Sequence, residues 1–368
     1  MQVKDITRAM EQLAPLQLKE DWDNVGLQIG GPDDKVHRIL LALTPSEAVV
    51  EEAVEMGADM IITHHPFIFK GVKTLRSDTV IGKITRECMK HDIAFYCAHT
   101  NLDIAQGGVN DILAKRLGLQ DVKGLQETAS TPRYKVVVFV PMSHVETVKA
   151  AMFEAGGGAQ GAYHSCAWSV TGTGQFCPQD DARPYLGEVG QLETVEEARV
   201  EVLVDRAALH AVVDAMLKAH PYEEVAYDVF VNEGSCEKAH LGRIGTLPEA
   251  RPLGEWLADV KNILDVPVVA YVGDSEQIVE KVALCGGSAC ELLGDAKRAG
   301  ADVYVTGDMK YHDAQRAVEM NMAMVDVSHY AGERPVLGAL QQYLFLTFGE
   351  SLSVKISERE ENFIKYLY

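Results

Sequence analysis

Four short stretches of the 368-residue chain end in groups able to bind metal ions or move protons. "DMIITHHPF" puts His64 and His65 side by side after an apolar run. "IAFYCAHTNLD" gives His99 and, four residues on, Asp103. "ADVYVTGDMKYHD" gives Asp308 and His312, and "MAMVDVSHYAGE" gives His329 and Glu333, both at the same spacing. A spacing of four places two side chains on one side of a helical turn. Ser328 is a candidate N-cap for a helix presenting His329 and Glu333 together. Imidazole nitrogens and carboxylate oxygens form a mixed donor set suited to zinc, iron or manganese. The set His64, His65, Asp103, His329 and Glu333 is too large for one closed tetrahedral zinc and too poor in acids for calcium. It fits two divalent metal ions about 3.5–4 Å apart with a bridging carboxylate. Neighbours in an extended segment diverge, so His64 and His65 would serve different ions. His99, His312 and Asp308 are candidates for acid/base work or for holding a ligating imidazole.

The elements that would position these groups alternate. Strand-like "RILLALT", "DMIITHH" and "IAFYCAHT" are separated by helix-like "SEAVVEEAVEMG" and "SDTVIGKITRECMKHD". After Leu241 the alternation resumes through "KVALCGG", "ADVYVTGD", "YHDAQRAVEM" and "MAMVDVSH". This predicts an α/β protein with parallel strands and crossover helices, and the polar groups fall where ligands bind in open α/β sheets, beyond the strand ends. "GADMIITHH" and "GADVYVTGD" repeat one pattern, and each is followed by a helix and a second strand, with Ala94 and Ala323 in matching places. The two halves read as diverged copies. Between them, strand "YKVVVFVP", helix "HVETVKAAMFEAG", a Gly-rich region, strand "ARVEVLVD", helix "RAALHAVVDAMLKAH" and strand "VAYDVFV" suggest a ferredoxin-like insert. "STPR" and "NEGSCEKAH" would be its linkers. The expected organisation is two similar α/β lobes, 1–128 and 236–368, forming one split domain with an α+β insert at 129–235.

Composition narrows the class. With 34 Lys and Arg against 54 Asp and Glu, the net charge is −20. Duplex binding needs a basic footprint that is missing here, so nucleic acid is disfavoured as a partner. A bound cation would still attract a small anion locally. No apolar run is long enough for a membrane span, and "MQVKDITRAMEQLAP" has no signal-peptide pattern. Seven scattered cysteines without a CxxC pair read as reduced thiols of a cytoplasmic protein. "DWDNVGLQIG" would be a turn or a pocket wall, "LCGGSAC" a tight turn or anion loop, and "HPYEEVAYDVF" a structural part of the insert.

The ordered set "DWDNVGLQIG", "THHPFIFKG", "HTNLD", "CGGSA", "TGDMKYHDA" and "SHYAGERP" resembles, over nearly the whole chain, the dinuclear-metal hexameric proteins known as GTP cyclohydrolase I type 2 homologues, related to the yeast NGG1-interacting factor. The resemblance implies two metals on His64, His65, Asp103, His329 and Glu333, the set also reached from the strand exits. It implies a homohexameric ring with the metal sites facing an interior space. Its longer members carry a PII-like or CutA-like insert, matched here by "AHPYEEVAYDV". The chain departs from the family pattern at Thr44, where an acid is usual, at Asp308, where glutamate is, and at Ala289, where glycine is. With Glu333 as the bridge, His65 and Asp103 are expected at one ion and His64 and His329 at the other.

Two functions compete. One is metal-dependent hydrolysis of a nucleotide or other small anionic substrate, by attack on carbon or phosphorus. The other is a non-enzymatic metal-binding or regulatory assembly, whose insert senses a ligand or docks a partner. Water access to the metals separates them, because an enzyme needs an open coordination position.

Overall fold

The computed structural model describes residues 1–367, leaving out the side chains of residues 129–131 and 235–237. Among the described residues thirteen strands occur: β1 (Gly26–Ile29), β2 (Arg38–Ala42), β3 (Met60–Thr63), β4 (Ala94–Cys97), β5 (Gln120–Pro141), β6 (Ala167–Phe176), β7 (Glu193–Val204), β8 (Tyr227–Pro252), β9 (Ala270–Val272), β10 (Ile278–Leu284), β11 (Val303–Thr306), β12 (Ala323–Asp326) and β13 (Ser353–Ile356). The chain divides into two compact units, one of Met1–Ala129 with Ala239–Tyr368 and one of Ser130–Lys238.

The first unit holds two sheets of related design. One runs β1-β4-β3-β2-β13 and the other ends β8-β10-β11-β12-β9. In the first, β2, β3 and β4 are parallel and β1 is an antiparallel edge. In the second, β10, β11 and β12 are parallel and β9 is the antiparallel edge. The short central strands are buried throughout, as parallel strands covered on both faces must be. Alternation divides their side chains. Ile39, Leu41, Ile62 and Tyr96 face helices Val3–Leu13 and Pro335–Phe348, while Leu40, Ile61 and Phe95 face Glu47–Met56 and Val80–Lys90.

The expected duplication extends to backbone detail. Gly30 follows β1 at φ +98°, and a Cβ there would meet the Ala94 Cβ at 2.8 Å. Gly273 follows β9 at φ +124°, and a Cβ there would meet the Ala323 Cβ at 3.0 Å. The second lobe is not closed on its own segment, however. Helix Pro335–Phe348 and β13, which pairs with β2, complete the first lobe. The helix sequence "PVLGALQQYLFLTF" is apolar on several faces and so needs more cover than a surface helix.

The second unit has four strand segments in the order β6-β7-β5-β8 with helices Val145–Glu154 and Leu209–Ala219. Taken along the chain this is β-α-β-β-α-β, the ferredoxin-like arrangement. Its core is Val136, Val138, Val140, Val200, Val202, Val148 and Met216 with their neighbours. The Gly-rich region proves to contain a full strand, β6, whose exposed residues and glycines carry no apolar alternation to announce it. "STPR" and "NEGSCEKAH" lie within β5 and β8 and are strand, not loop.

Candidate metal centre

The ligand-type side chains gather beyond the carboxyl ends of parallel strands of the first unit, the usual ligand edge of an α/β sheet. After β3, the amides of His64 and His65 still donate to Ala42 and Leu43, and the two rings lie 5.1 Å apart. After β4, His99 leads into helix Thr100–Ile104, which carries Asp103. After β12, the Ser328 hydroxyl accepts from the Ala331 amide and caps helix His329–Glu333.

Two triangles of donor atoms result, with Glu333 in both. His65 Nε2 lies 3.0 Å from Glu333 Oε2, His329 Nε2 lies 3.2 Å from the same oxygen, and the two nitrogens are 3.2 Å apart. On the other side, His64 Nε2 lies 3.5 Å from Asp103 Oδ1 and 3.6 Å from Glu333 Oε1. Donors bound tetrahedrally to one ion at about 2.0–2.1 Å stand about 3.3 Å apart, so both sets have the edges of a coordination shell. His64, His65 and His99 form a third such group. The expected partition is thereby corrected. His64 shares its group with Asp103, and His65 shares its group with His329. The two neighbours each join a separate group with Glu333, although their rings lie only 5.1 Å apart and share the third group with His99.

Each imidazole is held at its other nitrogen, which leaves Nε2 for the centre. His64 Nδ1 donates to the Ala98 carbonyl at 2.8 Å. His65 Nδ1 stands 2.8 Å from the Thr44 hydroxyl, so the residue that departs from the family pattern still orients a ring. His329 Nδ1 donates to Asp308 at 2.8 Å and His99 Nδ1 to Asp23 at 2.9 Å. Asp308 has φ +57°, a left-handed conformation that only a few non-glycine residues tolerate. The glycines of "CGGSA" form a wall: at Gly287, with φ +72°, a Cβ would stand 2.3 Å from Glu333 Oε1. The buried Asn110 donates to the Asp103 carbonyl and accepts from the Gly286 amide, joining the two lobes beside the site.

Without a cation this arrangement is poorly satisfied. His64 Nε2, Asp103 Oδ1 and Glu333 Oε2 are buried and lack hydrogen-bond partners, a costly state for polar atoms. Burial opposes protonation of His64, but the Asp103 and Glu333 carboxylates outweigh it and push its pKa up to about 9. Burial likewise opposes protonation of His329, and Glu333 and Asp308 raise it to about 9. Burial lowers His65 and raises Asp103 to about 6. Glu333 is held well below the ordinary range, because His64, His329 and His65 together overcome the burial that opposes its ionisation. A carboxylate so anchored among nitrogen donors is the electrostatic complement of bound cations. The residues present therefore fit a metal centre.

The centre has a closed and an open side. His64, Glu333 and Asp103 are buried, whereas the His65 and His329 side chains keep 21% and 32% of their exposure. His99 lies at the rim with its side chain 15% exposed. Trp22 packs edge-on against it at 5.9 Å and against Phe69 at 5.6 Å. His312 is not brought to the cluster. Its helix, Tyr311–Glu319, begins three residues after Asp308, so the spacing of four does not share a helical face, and the ring is exposed beside Gln315. Sequence reasoning missed Asp23, Thr44 and Asn110. Asp23 had a signal in "DWDNVGLQ", where Asn24 and Gln28 pin the backbone of Ile68 after the His pair.

Comparison with known proteins agrees with the fold. The profile of the Duf34/NIF3 (NGG1p interacting factor 3) family matches residues 1–362. A Bacillus subtilis protein named GTP cyclohydrolase 1 type 2 homolog is 41% identical over 366 residues, covering 99% of this chain and 98% of that protein. A Mycobacterium leprae protein of the same name is 38% identical, covering 96% and 92%. Among solved structures, a Bacillus cereus protein related to NIF3 superposes with a TM-score of 0.92 at 40% identity, covering 100% of this chain and 99% of that one. A Staphylococcus aureus protein superposes with a TM-score of 0.78 at 31% identity, with the same coverage.

Proposed function

This chain belongs to the Duf34/NIF3 family, and from that premise we propose that it holds two divalent metal ions and uses them in hydrolysis of a small substrate. The observation that carries the reading is Glu333, whose two oxygens each complete a separate group of donors. Charge supports two ions. Asp103, Glu333, Asp308 and Asp23 supply four carboxylates in or directly behind the site, which two divalent ions would balance. His64, Asp103 and Glu333 would hold one ion, and His65, His329 and Glu333 the other. Bound there, such ions polarise a substrate oxygen and acidify a water molecule.

The chain's own residues do the rest. Asp23 accepts from His99 Nδ1 and so fixes its tautomer, which leaves Nε2 as the atom through which His99 would move a proton. Exposed Trp22 and Phe69 offer aromatic faces near His99 against which a planar ring could pack. The names of the relatives direct attention to guanine nucleotides, in which the ring carbon between two nitrogens would be attacked. Access to the His65 and His329 side supports an enzyme over a closed store.

The test is to load purified protein with zinc, iron(II) or manganese in turn, incubate it with nucleotides and phosphoesters, and identify products by mass. Asp23→Asn should slow turnover while leaving metal content intact. Absence of turnover with both ions bound would overturn the enzymatic part and leave the metal-binding assembly. The same proposal includes a cytoplasmic location and a homohexamer. Exposed Phe345 and Leu346 on helix Pro335–Phe348 support subunit contacts, and light scattering would give six times the chain mass.

A further inference from the structure

The second unit contains a cavity of about 980 Å³, at the upper end of small-molecule sites. Its floor follows from strand register. On β7, Ala198, Val200, Val202 and Val204 enter the core under the helices, so Glu197 and Arg199 face the other way. Their cross-strand partners share that face: Gly172 and Val170 on β6, and Phe139 on β5. The segment between β6 and β7 covers it with Tyr185 and Leu186.

Two properties define what fits there. The first is a buried carboxylate. Glu197 is 91% removed from solvent, and its Oε1 accepts the Tyr222 hydroxyl at 3.0 Å. Room for its other oxygen exists only because residue 174 is glycine: a Cβ there would lie 2.0 Å from Oε2. The second is an aromatic lining. Tyr222 packs against Phe176 at 6.0 Å and Tyr185 at 6.2 Å. Its position is locked by His220, which takes the Tyr222 amide proton at Nδ1 and donates from Nε2 to the Phe139 carbonyl. The motif "HPYEE" is thereby accounted for as the wall of a site. Asp181, Glu223 and Glu224 add negative charge around the cavity, against Arg199, which is already paired with Glu201 and lies over the Phe139 ring.

We propose that this cavity binds a small flat organic cation, an amidine or a protonated nitrogen heterocycle, with its N–H groups on Glu197 and its ring among Phe139, Phe176, Tyr185 and Tyr222. A carboxylate in an aromatic enclosure favours a cation twice, through a charge-assisted hydrogen bond and through the ring faces. The acids around it reject phosphates and carboxylates. The site is separate from the metal centre in residues and in chemistry.

The test compares benzamidine with benzamide, its uncharged counterpart of the same shape, and with benzoate, by calorimetry or ligand-observed NMR on the full chain. Benzamidine should bind at least about tenfold more tightly than benzamide, and benzoate should not bind. Glu197→Gln should bring benzamidine down to the level of benzamide. Gly172→Leu is the second variant, because a Cβ at Gly172 meets nothing within 4 Å and the larger side chain would grow into the cavity. It should abolish binding with an unchanged circular dichroism spectrum. Equal binding of benzamide, tighter binding of benzoate or GTP, or full benzamidine binding by either folded variant would overturn the assignment. So would absence of benzamidine binding at millimolar concentration.

Discussion

Replacing Glu333 by glutamine keeps its shape and removes its charge. Glu333 is 3% exposed, its carboxylate lies within 3.0–3.6 Å of three imidazole nitrogens, and it is the member common to two donor groups. Loss of an outer partner of a metal ligand costs about 10- to 100-fold in metal affinity. Loss of a directly ligating charge shared by two ions should exceed that upper figure at both positions. His64→Ala and Asp103→Ala should each empty mainly one position, and His65→Ala and His329→Ala the other. Asp308→Asn should weaken only the position served by His329, within the 10- to 100-fold range. Elemental analysis after dialysis against graded chelator measures occupancy, and circular dichroism verifies the fold. Expected content is about two ions per chain in the parent protein and one or none in Glu333→Gln. Two ions retained at parental affinity in Glu333→Gln would refute the bridge. Paired losses following His65 with Asp103 would refute the partition drawn from the distances.

Three other outcomes follow from neighbouring features. Arg243 is buried and paired with Asp111 while also donating to the carbonyls of Ile104 and Ala105; Arg243→Met should cost about 3–5 kcal/mol in urea unfolding by breaking this pair and leaving the two carbonyls without their donor. His64 and His329, raised from 6.5 to about 9, contribute ion-pair stability to the metal-free protein that is complete below pH 6.5 and lost as pH rises through 9. Protons and metal compete for the same nitrogens, so metal affinity should rise across that window with proton release, read by calorimetry in buffers of different ionisation enthalpy. The Thr128 hydroxyl reaches the Ala239 carbonyl, so joining residues 129 and 239 through a short Gly-Ser linker should leave a folded core with full metal content.

The α/β alternation was legible because parallel strands buried on both faces appear as short apolar runs, as in "MIIT" and "AFYC". The duplication was legible from Gly-Ala-Asp and the polar exits. The lobe boundary was not, because helix Pro335–Phe348 carries an apolar pattern that does not name the sheet it will cover. Strand β6 was hidden by its exposed residues and its two glycines, of which Gly174 leaves space for Glu197. At the site, His64, His65, Asp103, His329 and Glu333 were singled out by residue type and strand exit, and the structure draws them together. Their partition was out of reach, since it depends on which side of β3 the helix after β4 rises. The His312 reading failed through a shift of three residues in a helix start. Asp23 lies 76 positions from His99, a pairing that no local spacing encodes.

The donor atoms also carry an order in time. His64, His65 and Asp103 leave the ribosome early, while His329 and Glu333 follow roughly 200 residues later, a delay of about 10–40 s at usual elongation rates. Until then the nascent chain offers a histidine pair and one carboxylate without Glu333 or the Gly286–Gly287 wall. The site is thus sealed by a segment that emerges much later than the histidine pair, and β13 then joins β2 from the same later segment. On the proposed metal-binding reading, selection of the correct ion would be a property of the folded molecule, and any metal captured during synthesis would be held by an incomplete set of ligands from which it could exchange.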